Sequence, residues 1–85
     1  MDRTTVELKY PIKVDGTEVR SLSMRRPKVR DQLAAAKIGK DKTDEEKEVR
    51  MFADLCEVTP ENVGDLDVED YRQLVEAYKG FFGGK

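Results

Sequence analysis

The apolar alternation near the start of the chain is the feature that most restricts its fold. Apolar side chains occupy every second position from residue 6 to residue 14: Val6, Leu8, Tyr10, Ile12 and Val14. This is the period of a β-strand with one buried face. Asp15-Gly16 follows at once, and both residue types accept the positive φ angles of a two-residue hairpin turn. The sequence therefore predicts a β-hairpin, which we place at residues 4–26.

The second half of this hairpin is out of phase with the first. Val19 lies at an odd-numbered position, whereas Leu22 and Met24 lie at even-numbered positions. In a regular strand they would therefore face opposite sides. A β-bulge near Arg20-Ser21 would bring all three to the same face. Pro11 cannot donate a ladder hydrogen bond, which indicates an edge strand or a bend. Because a two-stranded hairpin is not stable alone, other elements must cover its apolar face.

From residue 28 to residue 85 the apolar period becomes helical. Val29, Leu33 and Ala36 lie on one face of a first helix. Capping signals predict three further starts: Thr43 with Glu46, Thr59 with Pro60, and Asp67. The last helix has a broad apolar stripe, and the members expected in the core are Val68, Tyr71, Leu74, Val75 and Tyr78.

The predicted fold class is α+β. An N-terminal β-hairpin packs against three main α-helices, with a short helical turn between the last two. A chain of 85 residues buries roughly 60% of its unfolded surface, so we expect a single domain, residues 1–85, with one thin core.

The composition argues against catalysis and against a metal centre or cofactor. The chain has no histidine and one cysteine, so the commonest general base and the usual thiolate metal sites are missing. Cys56 falls on the apolar face of its helix and is expected to be buried and reduced. The acidic runs "DEEKE" and "DLDVEDY" are explained by solvated helix starts and caps. We predict a non-enzyme.

Location is predicted from what the sequence lacks. The start of the chain shows no signal-peptide pattern, and no apolar run approaches the roughly 20 residues that cross a bilayer. A lone cysteine is typical of a reducing compartment. These features predict a cytoplasmic protein without membrane partners.

A basic cluster at the strand-to-helix joint is the first candidate binding surface. Arg25, Arg26, Lys28 and Arg30 surround Pro27 and could contact phosphates. Residues 1–42 carry a net charge of +5, whereas residues 43–85 carry −7. The basic residues therefore also suit ion pairs with the acidic half of the fold. No aromatic residue is interleaved with them for base stacking, which weighs against nucleic acid.

The end of the last helix is the second candidate. Tyr78, Phe81 and Phe82 are followed by "GGK". Adjacent residues of a helix point about 100° apart, so Phe81 and Phe82 cannot both be buried easily at a helix end. An exposed aromatic pair there is a candidate protein–protein contact.

The order of these segments resembles a known family. The stretch "VELKYPIKVDGTEVRSLSMRRPKVRDQLAA" is similar to the start of the small tail assembly chaperones of Mu-like contractile-tailed phages. In those proteins the second strand ends in Leu-x-x-Arg-x-Pro, here Leu22, Arg25 and Pro27. The later "LCEVTPENVGDLDVEDYRQLVEAYKGFF" resembles their C-terminal half. Lys28 and Arg30 depart from the Thr or Ser and the Gly that are frequent in relatives.

The resemblance implies a chaperone that binds the tape measure protein during tail morphogenesis, in the cytoplasm of the bacterial host, and is absent from the mature virion. It also implies further partners, namely the tail tube protein and a longer form of the chain made by a −1 ribosomal frameshift. Codons for Gly83-Gly84-Lys85, or for Phe81-Phe82 after Gly80, could supply the slippery heptamer. The alternative is a small nucleic-acid-binding regulator that uses the basic joint.

Overall fold

The computed structural model describes residues 3–39 and 41–83 and confirms the α+β architecture. Two strands come first, β1 (Arg3–Val14) and β2 (Thr17–Arg25). The helices follow as α1 (Val29–Ala36), α2 (Asp44–Cys56), α3 (Pro60–Gly64) and α4 (Val68–Gly83). The turn between α2 and α4 that the sequence predicts is α3. The last two residues of the Gly83-Gly84-Lys85 segment lie outside the described ranges.

The hairpin turn forms at the predicted dipeptide. Asp15 and Gly16 adopt φ angles of 53° and 79°, so both central residues have the positive φ that a type I′ turn requires. Val14 pairs with Thr17 directly across the turn, and the two strands run antiparallel.

The irregularity in the hairpin lies on β1, not at Arg20-Ser21 of β2 as predicted. Glu7 pairs with Ser21 and Ile12 pairs with Val19, so β1 advances by five residues while β2 advances by two. The extra residues of β1 include Pro11, which has no N–H to offer the ladder. The extra residues lie in the strand that contains the proline. One of the residues outside the ladder therefore has no N–H, and fewer backbone donors are left without a partner.

A buried carboxylate on α4 binds the backbone that this irregularity releases. Asp70 Oδ1 accepts a hydrogen bond from the Lys9 N–H, and Asp70 Oδ2 accepts one from the Tyr10 N–H, both at 2.9 Å. The Asp70 residue is 1% exposed. The sequence interpretation of "DLDVEDY" as solvated acidic residues is therefore wrong for Asp70, which fastens the hairpin to the last helix.

The core lies between the inner face of the hairpin and the helices α2, α3 and α4. Its fully buried side chains include Met24 of β2, Phe52 and Leu55 of α2, and Leu74 of α4. Phe52 lies at its aromatic centre, with ring centroids 5.6 Å from those of both Tyr71 and Tyr78. Buried Val6, Leu8, Ile12 and Leu22 supply the hairpin side.

The predicted helix starts of α2 and α3 are confirmed by reciprocal caps. Thr43 Oγ1 accepts a hydrogen bond from the Glu46 N–H, and the Glu46 carboxylate accepts one from the Thr43 N–H. Thr59 and Asn62 form the same pair of bonds at the start of α3. Each cap satisfies backbone donors that a helix start otherwise leaves free.

Three apolar positions lie outward instead of in the core. Val29 and Leu33, on the predicted apolar face of α1, are 72% and 56% exposed, and Val68 at the start of α4 is 67% exposed. Helix α1 instead turns Asp31 and Ala35 inward, towards the rest of the fold, and Ile38, just after the helix, is half-buried. Among the described residues, no helix is long and apolar enough to cross a bilayer.

Cys56 is buried as predicted, and we expect it to react slowly with thiol reagents. Burial, the largest cause, raises the pKa of its thiol to about 11, so little reactive thiolate is present near neutral pH. Labelling with a chromogenic disulfide reagent should be slow in native buffer and rapid in denaturant. Rapid labelling of the native protein would show that this face of α2 opens to solvent.

Candidate partner-binding surface

The joint between β2 and α1 is held by an ion pair. Arg25 donates two hydrogen bonds to Asp31, from one guanidinium nitrogen to Oδ2 at 3.0 Å and from the other to Oδ1 at 2.8 Å. The backbone N–H of Lys28 donates to Asp31 Oδ2 at 2.7 Å, which also caps the first turn of α1. Arg25 is therefore a structural residue, and its charge is neutralised within the joint.

This ion pair makes the stability of the fold depend on pH. Asp31 is buried, and its hydrogen bonds with Arg25, followed by that with the Lys28 N–H, hold the pKa of the carboxyl below its ordinary value. A depressed folded-state pKa contributes stability that is present above the unfolded pKa, near 4, and is lost as the pH falls through the folded-state pKa.

We expect Asp31→Asn to lower the free energy of unfolding by about 2 kcal/mol at pH 7, the range for hydrogen bonds to charged groups. The deficit relative to the unchanged chain should shrink as the pH falls below the unfolded-state pKa, near 4, and through the lowered folded-state pKa of Asp31. Urea unfolding at several pH values measures it. A deficit that stays constant over this range would show that the charge of Asp31 does not stabilise the joint.

The aromatic residues at the end of α4 differ from one another in exposure. Phe82 is 56% exposed, whereas Tyr78 and Phe81 are half-buried. The ring of Tyr78 contacts Phe52 in the core on one side and meets Phe82 edge-on at 5.0 Å on the other. Phe82 is thus an outward aromatic ring held in place through Tyr78.

The structure brings the two sequence-predicted candidate surfaces together. The Arg26 guanidinium lies over the Phe81 ring, 5.7 Å from its centroid, within cation–π range. Phe82 lines one groove together with Lys28 and Val29. We call this surface the joint patch. It consists of the exposed apolar residues Val29, Leu33 and Phe82, the groove residues Pro27 and Gln32, and the basic residues Arg26, Lys28 and Arg30.

The joint patch has a positive border. Residues 25–39 contain five basic residues and one acidic residue, Asp31, which is buried against Arg25. In the part of the chain that the structure describes, Arg26, Lys28 and Arg30 form no ion pair, and all three are exposed. The ion pairs with the acidic half that the sequence suggested are thus absent from these three residues in the described ranges.

Val29 and Leu33 are the residues of this surface that sequence reasoning assigned differently. They are four positions apart, so they lie on the same side of α1. The available signal was that the segment from Val29 to Ile38 has apolar residues on two sides at helical spacing, with Ala35 and Ile38 on the side away from Val29 and Leu33. One packed face needs only one such stripe, so the second indicates a surface with another use.

The side chains of the patch can bind a partner by contact. Its groups are aromatic and aliphatic side chains, the carboxamide of Gln32, two guanidinium groups and an ammonium group. No group of three or more His, Cys, Asp or Glu within residues 3–39 and 41–83 is arranged to hold a metal ion.

Comparison with known protein families gives a match over nearly the whole chain. A family model described as "Phage tail assembly chaperone proteins, E, or 41 or 14" matches residues 5–83. No curated protein and no solved structure matches the chain.

Proposed function

We propose, since the chain belongs to the phage tail assembly chaperone family, that it binds the tape measure protein through the joint patch while the tail is built. The family match covers nearly all of the described residues and supports the general role. The observation that carries the choice of surface is that exposed Phe82 and Val29 line one groove, and that Leu33, one helical turn after Val29, is exposed as well. Contiguous apolar side chains at a surface mark a protein contact more often than chance.

The proposed mechanism is reversible shielding. Before the tail tube forms around it, the long helical tape measure protein exposes apolar stripes, and these would associate with one another if left uncovered. The chaperone covers such a stripe with Val29, Leu33 and Phe82, and its own charged exterior keeps the complex dissolved. The contact is non-covalent, so the tail tube protein can displace the chaperone as it takes its place. The chaperone is therefore absent from the finished virion. We place this activity in the host cytoplasm.

Co-expression tests this function. The tape measure protein of the same phage, produced alone and together with this chain, should shift from the insoluble to the soluble fraction and co-purify with the chain. Finished tails examined by mass spectrometry should lack the chain. Failure of the two proteins to co-purify, whichever is expressed first, would contradict the proposal. Stoichiometric retention of the chain in finished tails would also contradict it.

A longer form of the chain is part of the same proposal. It would arise by −1 frameshifting near the codons for Gly83-Gly84-Lys85 or Phe81-Phe82, and it and the tail tube protein are proposed as further partners. The coding DNA checks this directly, because the proposal needs a slippery heptamer there and an open −1 frame beyond it. A stop codon soon after the heptamer in that frame would rule it out.

A further inference from the structure

We infer that the joint patch recognises an amphipathic α-helix whose apolar stripe is bordered by acidic side chains. This inference rests on the proposed function, because it takes the patch as the partner-binding surface. It adds the chemical class of the segment that is bound.

The shape of the patch favours a helix as the occupant. The patch is made from the outer side of α1 and the end of α4, and it presents side chains rather than the free edge of a strand. Val29 and Leu33 lie one helical turn apart along α1. A second helix laid beside α1 would repeat that spacing and could insert its own apolar residues between them. Phe82 then contacts the same stripe from the side.

The charge of the border selects an acidic occupant. Arg26, Lys28 and Arg30 are exposed around the apolar residues, and the one acidic residue of the segment, Asp31, is already paired with Arg25. A helix with basic residues beside its stripe would place like charges together, which disfavours binding. A helix with Asp or Glu at those positions would neutralise the border.

The fixed position of Arg26 strengthens this assignment. Its guanidinium lies over Phe81, so it is partly ordered before any partner arrives. Preorganised groups lose less conformational entropy on binding. The planar guanidinium can also bind a carboxylate through two parallel hydrogen bonds.

Synthetic helices of about 18 residues, five turns, provide the test, each constrained as a helix by a side-chain staple. The acidic peptide has a leucine stripe bordered by Glu, and the basic peptide has Lys at the same positions. A third peptide has the acidic composition but scatters its leucines around the helix. Fluorescence anisotropy against the full chain should show binding of the acidic peptide, with the basic and scattered peptides at least about tenfold weaker. Raising salt from about 50 to about 300 mM should weaken the acidic complex.

Charge reversal supplies a result that misfolding cannot imitate. The double variant Lys28→Glu/Arg30→Glu should lose the acidic peptide and gain the basic one. The matched control is Lys13→Glu/Arg72→Glu, which makes the same change of charge at two exposed positions outside the patch. That control should bind like the unchanged chain.

Several outcomes would overturn the inference. The first is equal binding of the acidic and basic peptides, and the second is no binding of the acidic peptide up to about millimolar concentration. The third is a preference for a short DNA duplex that is lost when the charges of Lys28 and Arg30 are reversed. Self-association that Leu33→Glu abolishes would show a second copy as the occupant. Failure of tape measure co-purification with intact acidic-peptide binding would instead refute the proposed function and leave the chemistry of the patch standing.

Discussion

Replacing Asp70 with alanine is expected to lower the free energy of unfolding by about 3 to 4 kcal/mol. The carboxylate accepts hydrogen bonds from two backbone N–H groups, those of Lys9 and Tyr10, and each bond to a charged acceptor contributes about 1.5 to 3 kcal/mol. Alanine would leave both donors without a partner where the side chain is 1% exposed. A protein of this size is stable by only about 4 to 13 kcal/mol, so much of its stability would be lost.

Two further variants separate this cause from others. Asp70→Asn should be nearly as damaging as alanine, because the amide has one acceptor oxygen and would turn its NH₂ group towards the second backbone donor. Glu69→Ala removes the neighbouring carboxylate, whose ion pair with Lys9 is exposed, and should cost less than about 0.5 kcal/mol. Chemical denaturation measures all three. If Asp70→Ala unfolded with the same midpoint and slope as the unchanged chain, the buried carboxylate would have no role in holding the hairpin.

The elements that local chemistry determines could be predicted from the sequence. Asp15-Gly16 determines the turn because few residue pairs accept positive φ twice in succession. The caps at Thr43 and Thr59 each involve a partner three residues away. Such contacts are formed within the segment that encodes them, so reading that segment is sufficient.

The role of Asp70 could not be predicted, because its partners are about sixty residues away in the chain. Its position in an acidic run at the start of a helix favours a solvated residue, and only the docking of α4 on the hairpin overrides that preference. The bulge was predicted on the wrong strand for a different reason. An insertion in one strand and a deletion in the other produce the same change of phase.

The orientation of α1 depends on Asp31. This residue is two positions from both Val29 and Leu33, about 200° around the helix from each. When Arg25 at the end of β2 binds Asp31, the Asp31 side of α1 turns inward and the two apolar residues turn outward. Apolar periodicity alone predicts the opposite orientation. The candidate surface was therefore predicted in its aromatic and basic parts, Phe82, Arg26 and Lys28 among them, but not in its apolar α1 residues, Val29 and Leu33.

The second large effect is expected at Phe82. Phe82→Ser should weaken binding to the tape measure protein by about 10- to 30-fold, the usual effect of removing an aromatic anchor from an interface. Its ring is 56% exposed and touches Tyr78, so the free energy of unfolding should change by no more than about 0.5 kcal/mol. Isothermal titration and urea unfolding on the same preparation give both quantities.

The controls for Phe82 come from its own helix. Val68 is 67% exposed at the opposite end of α4, so Val68→Ser removes an exposed apolar group outside the joint patch and should leave binding unchanged. Phe81→Ser is unsuitable, because Phe81 packs against the core and lies beneath Arg26, and its loss should destabilise the end of α4. A fall in affinity for Val68→Ser equal to that for Phe82→Ser would mean that surface hydrophobicity in general, and not the joint patch, holds the partner. Unchanged affinity for Phe82→Ser would remove the aromatic end of α4 from the interface.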